Sequence, residues 1–233
     1  MIWHGLSLYI GHDILLVSPV SVVQRLAQLV LETDFWKSIL FSASRITAGF
    51  ILAVVSGILL AALSASFRRA EEFFAPVILF AKATPVASFI ILVLIWVSSR
   101  NLSVLISFIM VLPIIYTNVL NGIRSTDPKL LEVAEVFGIP AYRRIMYIYV
   151  SQVMPFFRSA CLVGLGLCWK AGIAAEVIGI PGGSIGQKLY MAKIYFATPD
   201  LFAWTLTIII VSLVFEKMFM LLIRFIINSI ERL

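Results

Sequence analysis

Lys170 and Glu176 interrupt an apolar run, Val150 to Ile180, that is long enough to cross a bilayer. A charge at membrane depth is costly unless it meets protein, water or a partner. The two residues are six positions apart, about 240° round a helix, so they do not form an i,i+4 pair. They either line a polar passage, or snorkel to an interface and anchor helix packing. A second polar group, Lys82, Thr84 and Pro85, lies in the inner half of the run Phe73 to Val97. There the proline removes a backbone hydrogen bond and should kink or open the helix. Broken helices are tolerated in membranes where they face protein or a cavity. Pro113, Asn118 and Asn121 repeat the signal more weakly in the next run. Trp96, Trp169 and Trp204 read first as packing or interface anchors.

Other chemistries find little support. The chain has no Gly-x-x-x-x-Gly-Lys-Ser/Thr phosphate loop, so it does not read as an ATPase. The Gly-rich stretch Gly179 to Gly186 follows an apolar run and reads as a turn into a short helix bearing Tyr190 and Tyr195. His4 and His12 are the only histidines, and no metal-ligand spacing is present. Cys161 and Cys168 are seven positions apart, roughly 10 Å along a helix at ~1.5 Å per residue, too far to bridge. Met1 to Asp13 lacks a charged n-region and a small-x-small cleavage site, so it is not read as a removable signal peptide.

The composition sets the solvent. Of 233 residues 61% are apolar and 13% charged, with mean hydropathy +1.05, whereas a soluble domain is about 25% charged. This excludes a soluble globular domain, a disordered chain, a disulfide scaffold and a nucleic-acid module. The net charge of +6 therefore reports topology in a bilayer rather than an affinity for nucleic acid.

Five spans are expected: Ile39–Leu63, Phe73–Val97, Leu102–Leu120, Val150–Ile180 and Leu201–Ile227. The segment 1–37 reads as a short or partial N-terminal helix followed by an amphipathic surface helix over Val22 to Leu31. The segment 38–230 reads as the transmembrane domain. Alternate connections carry unequal positive charge. One set of connections holds Arg68, Arg69, Arg124, Lys129, Arg143, Arg144, Lys217, Arg224 and Arg232, and the opposite set holds Lys37, Arg100, Lys188 and Lys193. The richer side faces the cytoplasm, which puts the loop 121–149 inside the cell. Two stripes of small residues, Gly49-Ala53-Gly57-Ala61 and Ala160-Gly164-Cys168-Gly172, predict close helix contacts, and Glu176 is the next step on the second.

The inner loop is structured. Asp127 is placed to cap a helix with Pro128 at its first position, and the pattern runs to Phe137 and stops at Gly138. The order Glu132-Val133-Ala134, three residues, Gly138, nine residues, Ile148 resembles the Glu-Ala-Ala...Gly loop of permease subunits of bacterial ATP-binding-cassette importers. Val133 stands where alanine is more usual, and Val150-Ser151 where Leu-Pro is. The resemblance extends from about Phe35 to Ile227. Ser44-Arg45, Gly49-Phe50, Lys82-Ala83-Thr84-Pro85, Asn118, Asp127-Pro128, Pro155, Trp169 and Ala175-Glu176 resemble the nitrate, sulfonate, taurine and bicarbonate branch.

The resemblance implies an all-α integral membrane fold of the type I importer kind. Five spanning helices and a partial N-terminal helix would be joined by a cytoplasmic coupling helix in a multi-pass protein of a bacterial inner membrane. It implies docking to a separate ATPase through Glu132, Ala134 and Gly138, with ATP and magnesium bound by that partner and no cofactor in this chain. Further implied partners are an extracytoplasmic binding protein, a second permease copy and membrane lipid. Lys82, Thr84, Pro85, Asn118, Trp169, Lys170 and Glu176 are the expected pathway residues. A small anion is the default substrate, and a vitamin precursor or an aromatic compound is the alternative. A stand-alone channel or secondary transporter is the rival from another class, and a membrane enzyme ranks below both.

Overall fold

The computed structural model describes residues 17–230, with side chains through Phe225. The expected partial helix over Ile2 to Val17 lies almost wholly outside the described residues. Every regular element within them is helical.

Helix α1 (Pro19–Val30) opens with Ser18, whose hydroxyl accepts from the Ser21 backbone N–H at 3.1 Å. Val22 and Leu29 are buried while Val20 and Val23 are exposed, the one-sided burial expected of a surface helix. Helix α2 (Thr33–Ser66) starts after a two-residue break. Helices α3 (Arg68–Ala83) and α4 (Val86–Val93) meet at 105° across Thr84 and Pro85. Helix α5 (Ser99–Arg124) leads to the loop helix α6 (Pro128–Val136). A short α7 (Ala141–Arg144) passes through a π-helical stretch, Ile145–Tyr149, into α8 (Val150–Gly179). Helix α9 (Ile185–Ile194) and α10 (Thr198–Ile230) come last.

Among the described residues four helices are long and apolar enough to cross a membrane: Thr33–Ser66, Ser99–Arg124, Ala141–Gly179 and Thr198–Phe225. The bent pair α3–α4 makes a fifth if it counts as one span. The run Phe73–Val97 is thus two helices, not one. Pro85 cannot donate to the helical ladder and biases Thr84 away from helical geometry. Thr84 and Pro85 accordingly adopt extended backbone angles. Pro113 and Pro155 leave α5 and α8 unbroken.

Helix α5 lies between α2 and α8, and the two small-residue stripes face into this layer. A Cβ on Gly49 would collide with the Val104 carbonyl oxygen of α5, and one on Gly57 would stand 2.8 Å from Ile115. From α8, a Cβ on Gly172 would meet Ile46 at 2.6 Å and the Ser107 hydroxyl at 2.8 Å. In lipid no hydrophobic force drives helices together, so dispersion at such close approaches is what holds them. Ser107 also donates to the Cys168 carbonyl at 3.1 Å, and Tyr116 donates to Ser64 at 3.0 Å. Cys161 and Cys168 are both buried free thiols.

Ion pairs pin the ends of the bundle. Arg124 at the end of α5 pairs with Glu71 at the start of α3. Arg25 of α1 pairs with Asp200 of α10 through its Nε, and its second nitrogen lies 3.4 Å from Asp200 Oδ2. The hydrogen bond to Asp200 holds the Arg25 guanidinium above its ordinary pKa. Both members are partly exposed, so the pair contributes about 0.5–1 kcal/mol. The expected result of Arg25→Ala is a small effect: α1 becomes more susceptible to limited proteolysis while the melting temperature of the bundle barely moves.

Candidate translocation site and docking loop

The loop helix α6 is specified at both ends by local chemistry. Asp127 Oδ1 accepts from the Lys129 N–H at 2.9 Å, and Pro128 occupies the first helical position. At the far end the Gly138 N–H donates to the Glu135 carbonyl at 3.0 Å and the Ile139 N–H to the Ala134 carbonyl at 2.8 Å. This pair of bonds is a Schellman motif with Gly138 in the left-handed position, at φ 62°. Nothing within 4 Å would meet a Cβ on Gly138, so within this chain the glycine is required by its backbone angle. Ala134 is fully buried and Glu132 is exposed. Val136 and Phe137 are 83% and 77% exposed, an apolar surface on a charged loop that invites a protein partner. Neither residue stands out in the sequence, because both fall between the motif positions.

The break between α3 and α4 collects a second set of polar groups. Lys82 is exposed at the end of α3, and its Nζ donates to Thr117 Oγ1 of α5 at 2.9 Å. Thr117 donates to the Pro113 carbonyl at 2.6 Å, one helical turn back on α5. Asn118 is half-buried and turns its Nδ2 back to the Ile114 carbonyl at 2.8 Å. Thr84 likewise donates its hydroxyl to the Phe80 carbonyl at 2.7 Å, which also accepts from the Thr84 N–H at 3.0 Å. Thr117 is not among the residues that the sequence singles out. Its position four residues after Pro113 and next to Asn118 is the available signal.

The expected residues of α8 separate. Lys170 is exposed, whereas Trp169 is buried with its ring edge-on to Phe215 at 5.9 Å between centroids. Glu176 is fully buried. Its Oε2 accepts from the Ser42 hydroxyl of α2 at 2.6 Å and from the Gly186 N–H of α9 at 3.2 Å. The Ile185 N–H in turn donates to Ser42 at 3.0 Å. Nearby, Arg45 lies over the Phe41 ring at 4.4 Å and donates to Asn101 at 3.0 Å. Ser42 also lacks a sequence signal of its own, although with Ser38 it extends the buried side of α2 by steps of four. Among the described residues no cluster of three or more His, Cys, Asp or Glu could hold a metal ion.

Among the described residues the chain is a helical membrane protein with a structured loop helix and a broken span. Comparison with known families gives the class of protein: residues 46–232 match the family described as binding-protein-dependent transport system inner membrane component, and the chain belongs to it. Such a system has a separate ATPase subunit and a substrate-binding protein, and this chain is its multi-pass inner membrane permease. Among similar proteins is a Bacillus subtilis (strain 168) permease provisionally named for aliphatic sulfonate transport. It is 26% identical over 90% of this chain and 76% of its own length. The nitrate import permease of Synechococcus elongatus is 25% identical over 82% of this chain and 72% of its own length. The taurine transport system permease of Escherichia coli K12 is 20% identical over 92% and 80% respectively.

Proposed function

We propose that two copies of this chain form the translocation pathway of an ATP-driven importer of a small organic or inorganic anion. Helix α6 is the coupling element. Its exposed Val136 and Phe137, with Glu132 and Gly138, enter a cleft of the ATPase subunit, which binds ATP and magnesium, while Ala134, expected from the sequence to dock, is buried within this chain. Closure of the ATPase pair moves α6 and rocks the spans between outward-open and inward-open states. Lys82, Thr84, Pro85, Asn118 and Lys170 belong to the pathway region in this reading, whereas Trp169 and Glu176, expected there from the sequence, are buried inside the bundle and are left out of it.

The observation that carries the anion reading is the exposed Lys82 at the broken span, held to Thr117 by one hydrogen bond of 2.9 Å. Two of its three ammonium donors remain available for an anion. Lys170 supplies a second exposed cation, on the same helix as the exposed Arg158 and the buried Glu176, and cationic side chains in a passage favour anions. The sulfonate, nitrate and taurine names of similar permeases point the same way. A vitamin precursor is the second reading, favoured by 25% identity over 87% of the chain to the formylaminopyrimidine transport permease of Halalkalibacterium halodurans.

Purification of the tagged chain from its native membrane should recover an ATPase and a binding protein, identified by mass spectrometry. In proteoliposomes the complex should accumulate the ligand of that binding protein only when ATP is present. Uptake driven by an ion gradient without ATP would instead support a secondary transporter. Lys82→Met and Lys170→Met should each lower anion uptake about tenfold, equivalent to one lost charged contact of about 1.4 kcal/mol. Normal uptake by Lys170→Met would remove Lys170 from the pathway.

A further inference from the structure

The first turn of any helix presents backbone N–H groups that have no partner inside the helix. In α9 those donors are met from three directions. Ser184 Oγ accepts from the Gln187 N–H at 3.0 Å within the helix itself. Ser42 of α2 accepts from Ile185, and Glu176 of α8 accepts from Gly186. Ser42 and Glu176 are joined by their own 2.6 Å hydrogen bond. A single fully buried carboxylate therefore ties the start of α9 to two spanning helices. The approach is close enough that a Cβ on Gly186 would collide with the Glu176 side chain.

We propose that Glu176 is a positioning residue for transport, holding α9 as a fixed part of the outer face so that engagement there moves α8. This deepens the proposed importer reading and rests on it for the partner that engages α9. Two observations support transmission. The end of α9 exposes Ile194, Tyr195 and Phe196, a surface suited to a protein partner on the side opposite the ATPase. Helix α8 runs unbroken for 30 residues, and from Glu176 it leads down to the π-helical stretch that joins it to the loop carrying α6. A load taken up by α9 thus reaches the docking loop along one rigid element.

The chemistry separates this role from that of a charge lining the passage. Glu176 Oε1 and Ser103 Oγ of α5 are both buried without a hydrogen-bond partner, and Ser103 stands beside the carboxylate. A glutamine at 176 keeps an oxygen to accept from Ser42 and Gly186 and turns an amide N–H toward Ser103, so it preserves the tether without the charge. Alanine removes the tether.

The test uses the assembled complex with its copurified binding protein and reads two quantities. One is hydrogen exchange of the Ile185–Gln187 amides, and the other is ATPase activity with and without the binding protein. Glu176→Ala should speed exchange about tenfold and lower binding-protein-stimulated ATPase about tenfold, with the unstimulated rate unchanged. Glu176→Gln should match the wild type in both. If Glu176→Ala does not assemble, Ser42→Ala reads the same two quantities, with the same direction expected. Protected amides and full stimulation in Glu176→Ala, or in Ser42→Ala where that variant stands in for it, would overturn the proposal. So would a Glu176→Gln complex as defective as Glu176→Ala in stimulation, since the charge would then be what matters. A wild-type complex that the binding protein does not stimulate would overturn the transmission step and the importer reading together. The exchange measurement would still decide whether Glu176 and Ser42 hold α9.

Discussion

Gly138→Val is expected to reduce transport about tenfold or more while the chain still inserts and assembles, because the change strikes the end of α6, the helix proposed to dock, and nothing in the bundle. Gly138 sits at φ 62° with two backbone hydrogen bonds closing the helix around it. An L-residue in the left-handed region costs roughly 1–2 kcal/mol, and a β-branched one is worse. Valine would therefore unwind the Schellman turn and redirect Ile139 and the segment leading to α7. Since no atom lies within 4 Å of the Cβ position, the loss would come from the backbone of this chain or from the ATPase surface. Gly138→Asn separates the two. Asparagine tolerates left-handed geometry, so near-normal transport by Gly138→Asn would assign the requirement to the turn. Failure of both variants would assign it to close approach by the partner. Normal ATPase coupling in Gly138→Val would remove α6 as the docking element.

Gly49→Leu should destabilise the folded bundle by about 3 kcal/mol, the upper end of the usual cost of overpacking. The first atom it meets is a backbone carbonyl oxygen, that of Val104, and behind it the Ser107 side chain at 2.9 Å. A flexible side chain could swing aside, but a helix backbone moves only by separating α2 from α5. Those two helices and α8 form the central layer, so the whole protein should lose thermal stability in detergent. Gly166→Ala is the matched control, since nothing lies within 4 Å of its Cβ position. It should alter stability by no more than about 0.5 kcal/mol. Equal melting temperatures for the two variants would mean that the α2–α5 contact does not hold the bundle.

Much of the architecture was legible because the bilayer imposes simple rules. Apolar length marked four of the spans, and loop charge set the expected orientation. The loop helix could be bounded almost to the residue, because Asp127, Pro128 and Gly138 act through their own backbone neighbours. The kink at Pro85 could be anticipated for the same reason, though its sharpness could not. A proline says that a hydrogen bond is lost, whereas 105° depends on what the freed segment packs against.

The candidate site divided along the same line. Lys82, Lys170 and Glu176 stand out in the sequence because each charge interrupts an apolar run, as Arg45 and Arg158 also do. That pattern could not say that, of the first three, two are exposed and one is enclosed, since six residues along a helix turn Lys170 and Glu176 to different neighbours. Ser42 and Thr117 stayed hidden because single hydroxyls are common in transmembrane helices and carry no pattern of their own.

By itself the sequence determined the solvent, four of the spans, the expected orientation and the capped loop helix, all of which depend on composition or on interactions within a few residues. Only the tertiary structure decided that Gly49 faces Val104 across α2 and α5, that Lys82 meets Thr117, and that Glu176 and Ser42 cap a helix beginning at Ile185. Ser42 and Ile185 are 143 positions apart. Contacts at that separation exist only once helices pack, and no local propensity encodes them.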